Sequence, residues 1–137
     1  MAFNDIAIRI NAYEQTIKTL GNEKVKGQPL IRELAIGRTK QEAFEVARKP
    51  LLAKYESYAT WGQTDTKKER TLSDTFEEFC RDRFIIGDEQ EVVDEILKYK
   101  ESFGVDNLLV RVQWPGLGQG EVLKTLDHLG KIIATVI

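Results

Sequence analysis

The amino-acid sequence predicts an α/β fold on a parallel sheet, with one leading helix followed by three strand-helix units. The first observation behind this is the run from Arg83 to Pro115, where a short apolar strand (FIIGD), a capped amphipathic helix and a second strand (NLLVRVQWP) follow one another. Strand, helix and strand within about thirty residues form a βαβ crossover, which joins parallel strands. The second is that the same alternation occurs upstream, where LIRELAI precedes a long helical pattern, and downstream, where NLLVRVQ precedes a final one. The third is a pair of capping boxes, Thr39 with Glu42 and Asp88 with Glu91, each marking a helix start just after a strand.

Taken in order, Ile6, Ile10, Tyr13, Ile17 and Leu20 are spaced by four, three, four and three, one face of a helix over 4–20. Asn4 or Asp5 is its expected cap and Gly21 its stop. A polar loop with Gly27 and Pro29 leads to a strand over 30–36, closed by Gly37. After Thr39, the residues Ala43, Val46, Ala47, Leu51, Tyr55, Tyr58 and Trp61 carry a helical pattern to about Gly62. Pro50 lies inside it and is expected to kink or divide the helix, most simply by starting a second segment.

Residues 62–71 are wholly polar and read as an exposed loop, and Leu72, Phe76 and Phe79 suggest a short helix over 72–81. A strand over 84–87 follows, then the helix capped by Asp88, with Val92, Ile96, Tyr99 and Phe103 on its buried face and Gly104 as its stop. The last strand is expected over 107–113. A loop with Pro115, Gly116, Gly118 and Gly120 then leads to a helix whose expected apolar side is Val122, Leu126, Leu129 and Ile133.

Composition bounds the function classes. The 137 residues are 42% hydrophobic and 31% charged, as in a globular single domain. Twenty basic and twenty-two acidic residues give a net charge of −2, with no single-sign block suited to nucleic acid or a membrane surface. The densest basic patch, Lys67, Lys68 and Arg70, is interrupted by Glu69 and preceded by Asp65. No apolar run approaches the roughly 20 residues of a membrane helix, and the amino terminus lacks a signal-peptide pattern, so a cytoplasmic location is expected. Cys80 is the only cysteine, which excludes an internal disulfide, and with His128 the only histidine no conventional zinc ligand set is expected.

Three strand-helix units do not close a barrel, which takes eight units and about 250 residues, so the chain reads as the last part of something larger. The segment FIIGDEQEVVDEILKYKESFGVDNLLVRVQWPG resembles the carboxyl-terminal part of the bacterial luciferase-like flavin-dependent monooxygenases, a family of (β/α)8 barrels. Gly87, Asp88, Glu91, Gly104, Val105, Asp106 and Pro115 carry the likeness. Upstream, IRELAIGRTKQEAFEVARKPLLAKYESYATWG looks like the preceding strand-helix unit of that family. The resemblance implies a partial TIM barrel over 1–137, with the strands near 30–36, 84–87 and 107–113 as the sixth, seventh and eighth. It also implies an oxidoreductase that uses reduced flavin, FMN or a deazaflavin, and O2 on a small organic substrate. Family members hold the flavin phosphate and much of the ring with earlier strands. This chain is therefore expected to bind flavin poorly or not at all by itself, or with a homo-oligomeric or complementing partner.

Alternation in the last strand puts Leu108, Val110 and Val112 on one face and Leu109, Arg111 and Gln113 on the other. In a barrel the second set points inward, as does Glu33 of the first strand, whereas Leu34 and Ile36 point outward. Since alternate barrel strands share interior layers, Glu33 and Arg111 are then expected to meet as a buried ion pair, either as plain charge neutralisation or with Arg111 polarising flavin or orienting substrate. Trp114 is expected at the barrel mouth, stacking on the flavin, excluding water from it, or simply covering the opening. The Gly87-Asp88 turn is expected to be a helix cap rather than a phosphate site, because Asp88 would occupy the free amides. The stretch 62–82 lies where related enzymes carry a lid, from which Arg70, Arg81 or Arg83 could reach an anionic substrate; the other reading is a solvated loop. The site residues expected from the sequence are thus Arg111, Gln113 and Trp114 for catalysis, Gln113 and Trp114 for the cofactor, and Arg70, Arg81 and Arg83 for substrate. His128 reads as a surface or partly buried helix residue, Cys80 as a small packed hydrophobe, and Tyr55, Tyr58 and Trp61 as a core or interface ridge. The rival readings are a non-catalytic truncated relative acting as a subunit or self-associating module, and a small doubly wound domain unrelated to the family.

Overall fold

The computed structural model describes residues 1–24, 29–62 and 76–137. Its elements are α1 (Phe3–Leu20), β1 (Pro29–Ile36), α2 (Lys40–Thr60), α3 (Phe76–Cys80), β2 (Ile85–Gly87), α4 (Glu89–Phe103), β3 (Asn107–Arg111) and α5 (Gln119–Val136). The three strands form one parallel sheet in the order β2-β1-β3. Leu34 to Ile36 pair with Ile85 to Gly87 on one side of β1, and Pro29 to Glu33 pair with Asn107 to Arg111 on the other.

That order corrects the expected sixth, seventh and eighth strands. Successive barrel strands lie side by side, so the second of three should be central, yet β1 is central and β2 sits on an edge. The sequence shows which segments are extended but not which of them pair. The strand read over 107–113 ends at Arg111, so Gln113 belongs to the following loop.

The side-chain alternation of the strands separates two cores. Leu34 and Ile36 of β1 join Ile85 and residues of α1, α4 and α5, namely Ile6, Val92, Val93, Tyr99 and Ile132. Leu108, Val110 and Val112 pack on the same cluster, as their alternation predicts. Ala35, on the opposite face, joins Ala47 and Leu51 of α2, Phe76, Phe79 and Cys80 of α3, Phe84 and Trp114. Helices thus cover both faces, with α2 and α3 over the carboxyl half of β1.

Several local expectations are revised. α1 is capped at Ala2, not Asn4, and Asp5 acts from the third helical position by accepting the Ala2 amide at 3.2 Å. Its apolar face buries only Ile6, and Leu20 stays 66% exposed. Thr39 accepts the Glu42 amide at 3.1 Å, but the Glu42 carboxylate turns to Arg38, also at 3.1 Å, instead of closing a box. Pro50 does not divide its helix: α2 runs unbroken from Lys40 to Thr60, with Pro50 buried inside it. The helix read over 72–81 is described as α3 from Phe76 to Cys80, and its earlier part lies outside the described residues. In α5 the buried line is Val122, Thr125 and Ile132, with Leu129 partly covered, whereas Leu126 and Ile133 are 44% and 45% exposed. Thr125 decides that rotation, since its hydroxyl donates to and accepts from the Ile36 backbone across the core.

The α4 start keeps its predicted capping box. Asp88 accepts the Glu91 amide at 2.9 Å and Glu91 accepts the Asp88 amide at 3.0 Å. Gly87 is needed there because a Cβ would stand 2.6 Å from the returning Glu91 carboxylate. Asp88→Ala is expected to destabilise the protein by about 1 kcal/mol in urea unfolding, the usual size of a lost N-cap. Gly104 ends the helix in the left-handed region at φ 62°, a conformation that costs a side-chain-bearing residue more than glycine.

Candidate functional site

The parallel register places Glu33 of β1 directly beside Arg111 of β3. Both face the side of the sheet that α2 partly covers, so the carboxylate and guanidinium meet at 3.2 Å, as their alternation predicts. Lys54 of α2 reaches the same carboxylate oxygen, Oε1, with its Nζ at 2.6 Å. The indole N–H of Trp114 donates to the other oxygen, Oε2. One carboxylate therefore takes two hydrogen-bond donors, Lys54 and Trp114, and an ion-pair contact from Arg111.

Burial within the cluster is uneven. Glu33 and Trp114 are each 1% exposed, and the Lys54 side chain is 10% exposed. Arg111 is not fully buried, its side chain being 50% exposed. A carboxylate withdrawn from water requires such donors, since an unpaired buried charge costs several kcal/mol. Two cations against one carboxylate leave a local surplus of one positive charge, turned outward through Arg111. Two residues back along the same face, the paired Ile31 and Leu109 are 47% and 44% exposed. The face thus has a buried polar end near α2 and an uncovered apolar end bordered by a guanidinium.

The carboxyl end of α2 frames the cluster with aromatic rings. Tyr55 packs on Phe84 with centroids 5.0 Å apart, on Tyr58 at 5.5 Å and on Phe79 at 6.0 Å. The Lys54 ammonium lies 5.7 Å from the Tyr58 ring and 6.0 Å from that of Tyr55. Burial, and next the charge of Glu33, raises the Tyr55 hydroxyl above its ordinary range, so it stays protonated at neutral pH. Trp61, the third member of the expected ridge, is 67% exposed.

Of the other residues singled out in the sequence, Gln113 is exposed and its side-chain amide donates to the Trp114 carbonyl at 3.3 Å. Arg70 lies outside the described residues, as does most of the 62–82 stretch. Arg83 is half-buried, its guanidinium lying 5.2 Å over the Phe79 ring and donating to the Phe79 carbonyl at 3.2 Å. Arg81 is exposed and lines a cleft of about 190 Å³ beside β2, together with Lys40, Phe44 and Glu77. None of Arg111, Gln113 and Trp114 lines that cleft. His128 meets Glu89 at 2.6 Å and ties α5 to the start of α4. Among the described residues no group of three or more His, Cys, Asp or Glu could hold a metal ion, and no helix is long and apolar enough to cross a membrane.

Cys80 is 2% exposed, and burial pushes its thiol well above the usual range. A disulfide reagent such as dithionitrobenzoate is therefore expected to leave it unlabelled in the native protein at pH 8 and to label it stoichiometrically in denaturant. Rapid labelling of the native protein would show that the α3 layer opens readily.

Lys54 is the member of the cluster that sequence reasoning missed. Its signal was present: Ala47, Leu51, Lys54 and Tyr58 are spaced by four, three and four, placing a lysine within an apolar helical stripe. Such a lysine needs a buried partner, and Glu33, an acidic residue in the strand LIRELAI, is one.

No protein-family model matches the chain, and no curated protein matches it. Solved structures do. One is the FMN complex of the oxygenating constituent of 3,6-diketocamphane monooxygenase, a type II Baeyer-Villiger monooxygenase from the CAM plasmid of Pseudomonas putida. It superposes with a TM-score of 0.65 and 17% identity over 93% of this chain. Another is the monooxygenase RslO1 from Streptomyces bottropensis, with a TM-score of 0.62 and 13% identity over 92% of this chain. The chain spans only 38% and 36% of those two chains. At these identities the likeness is one of fold.

Proposed function

We propose that this chain is the carboxyl-terminal portion of a luciferase-like flavin monooxygenase, contributing one wall of a flavin site. The observation that carries this reading is the fold likeness to two monooxygenases, one of them an FMN complex, over more than nine-tenths of the chain. On this reading β1 and β3, which pair directly, are neighbouring barrel strands, with α4 and α5 outside them. The Glu33-Arg111 face is the barrel interior, and α2 with α3 and β2 is an excursion over its mouth.

The residues present fit the ring of FMN better than its phosphate. Arg111 is half-exposed, Gln113 is an exposed amide, and Ile31 and Leu109 are exposed apolar side chains on one strip. A flat ring with an electron-rich, hydrogen-bonding end suits that mixture. By contrast, the α4 amino terminus is occupied by Asp88 and Glu91, which supports its reading as a cap. When bound, reduced flavin would supply the electrons that activate O2 toward a small organic substrate. Arg111 would draw negative charge toward one end of the ring, and Gln113 would orient that end. Full burial of Trp114 favours its role as a wall against water over that of a stacking platform.

The remaining strands would come from further polypeptide or from a partner chain. Among the described residues β3 has no neighbour on its outer side, and Leu123, Leu126, Ile133 and Ile137 of the α5 region are 44–88% exposed. Unpaired edges and exposed apolar strips favour association, whether as a homo-oligomer or with a complementing chain.

Titration of FMN with the purified protein tests the flavin reading. Saturable quenching of flavin fluorescence is expected, with affinity about tenfold weaker, or 1.4 kcal/mol, in Arg111→Ala. Absence of quenching up to millimolar protein, with no O2 consumption on adding reduced flavin, would overturn the flavin reading of this chain alone and favour the non-catalytic subunit.

A further inference from the structure

Trp114 and Arg111 come from the β3 end, yet the group that holds both is Glu33, and Glu33 is shared with a residue of α2. Oε2 takes the indole N–H of Trp114, while Oε1 takes Lys54 at 2.6 Å and Arg111 at 3.2 Å. Lys54 is the more buried of the two cations, at 10% against 50% side-chain exposure, so its charge is the less screened at the carboxylate. Lys54 has no route to Glu33 except from α2 lying across the sheet, where Ala47 and Leu51 are each 0% exposed against Ala35 and the α3 aromatics.

We propose that Glu33 is a positioning residue for Trp114 and Arg111, and that Lys54 makes its setting conditional on α2 lying across the sheet. With α2 in place, Lys54 neutralises the carboxylate and fixes its plane, so that Oε2 points at the indole. When α2 lifts, Glu33 keeps only the partly solvated Arg111, water reaches the carboxylate, and the indole loses its fixed acceptor. Displacement of α2 is thereby transmitted to Arg111, proposed to face flavin, and to Trp114, proposed as the wall against water. Their flavin role rests on the function proposed above, but the coupling itself does not.

The test is flavin-free. With 15N-labelled tryptophan the protein shows two indole N–H signals, and Trp61, 67% exposed, is an internal reference for open exchange. In the wild type, the Trp114 indole is expected to exchange far more slowly than that of Trp61. Lys54→Met keeps most of the side-chain volume and should speed Trp114 indole exchange by at least about tenfold, by local opening, while the amides of Ile36, Ile85 and Val92 in the other core keep their protection. Lys54→Arg should restore slow exchange, and Glu33→Gln should shift the Trp114 indole signal by replacing its charged acceptor. Unchanged Trp114 exchange in Lys54→Met would overturn the coupling. So would equal acceleration of all core amides, which would mean that Lys54 serves only global stability. A failed FMN titration alongside accelerated indole exchange would remove the flavin role and leave the coupling standing.

Discussion

Glu33→Ala is expected to lower the unfolding free energy by about 3–5 kcal/mol, the range for removing one partner of a buried ion pair. The cost arises mainly from what is left behind. Lys54 would keep a charge at 10% side-chain exposure with no carboxylate, and the Trp114 indole N–H would lose its acceptor at 1% exposure. Arg111 contributes little to the penalty, because half of its side chain is in water. In thermal unfolding the loss should lower the Tm by about 10 °C or more. Glu33→Gln, which retains an oxygen for the indole, should lose less. Equal stability of Glu33→Ala and wild type would mean that water enters the cluster freely.

Trp114→Ala is expected to cost a similar 3–5 kcal/mol, for a different reason. Trp114 is the largest of the fully buried side chains and packs in the cluster formed by Ala35, Leu51 and the α3 aromatics, so truncation leaves a cavity that the sheet cannot close. Trp114→Phe separates the two contributions. It keeps most of the ring volume but removes the donor to Glu33, so its loss should be about 1–3 kcal/mol, the penalty for an acceptor left unpaired in the core. The same truncation at Trp61, 67% exposed, should change stability by less than about 0.5 kcal/mol in the same urea series. A large loss at Trp61 would mean that the end of α2 is covered in solution.

The elements were legible in the sequence because local rules decide them. The Asp88-Glu91 box, the Gly104 stop and the alternation of NLLVR each depend on a few adjacent residues, and all appear in the structure. Pairing order was not legible. β2 is only three residues long, and nothing in IIG states that it pairs with β1 at Leu34 instead of lying between β1 and β3. That Pro50 does not divide α2 has a related reason. The packing of Ala47, Pro50 and Leu51 in one buried stretch compensates for the missing amide, a tertiary effect that outweighs local propensity. At the candidate site, alternation put Glu33 and Arg111 on one face, but they meet because β1 and β3 are direct neighbours in register, not alternate strands sharing a layer. Lys54 was not legible, because its partner is twenty-one positions away and is reached only once α2 folds back over the sheet.

On the proposed reading, the same geometry makes the chain a wall rather than a whole pocket. Among the described residues, Ile31, Leu109 and Arg111 form one exposed or half-exposed strip, and β3 is an edge of the sheet. A ligand lying on the strip would touch one layer of protein and would be held weakly until further strands closed over it.

The most direct test is an FMN titration followed by backbone amide and indole chemical shifts, which detects binding even at millimolar affinity. Saturable shifts confined to Ile31, Leu109 and the stretch from Arg111 to Trp114, and reduced in Arg111→Ala, are the predicted result. The contradicting result is no shift on that strip at millimolar FMN, or shifts that instead gather around Arg38, Asp88 and His128 at the start of α4.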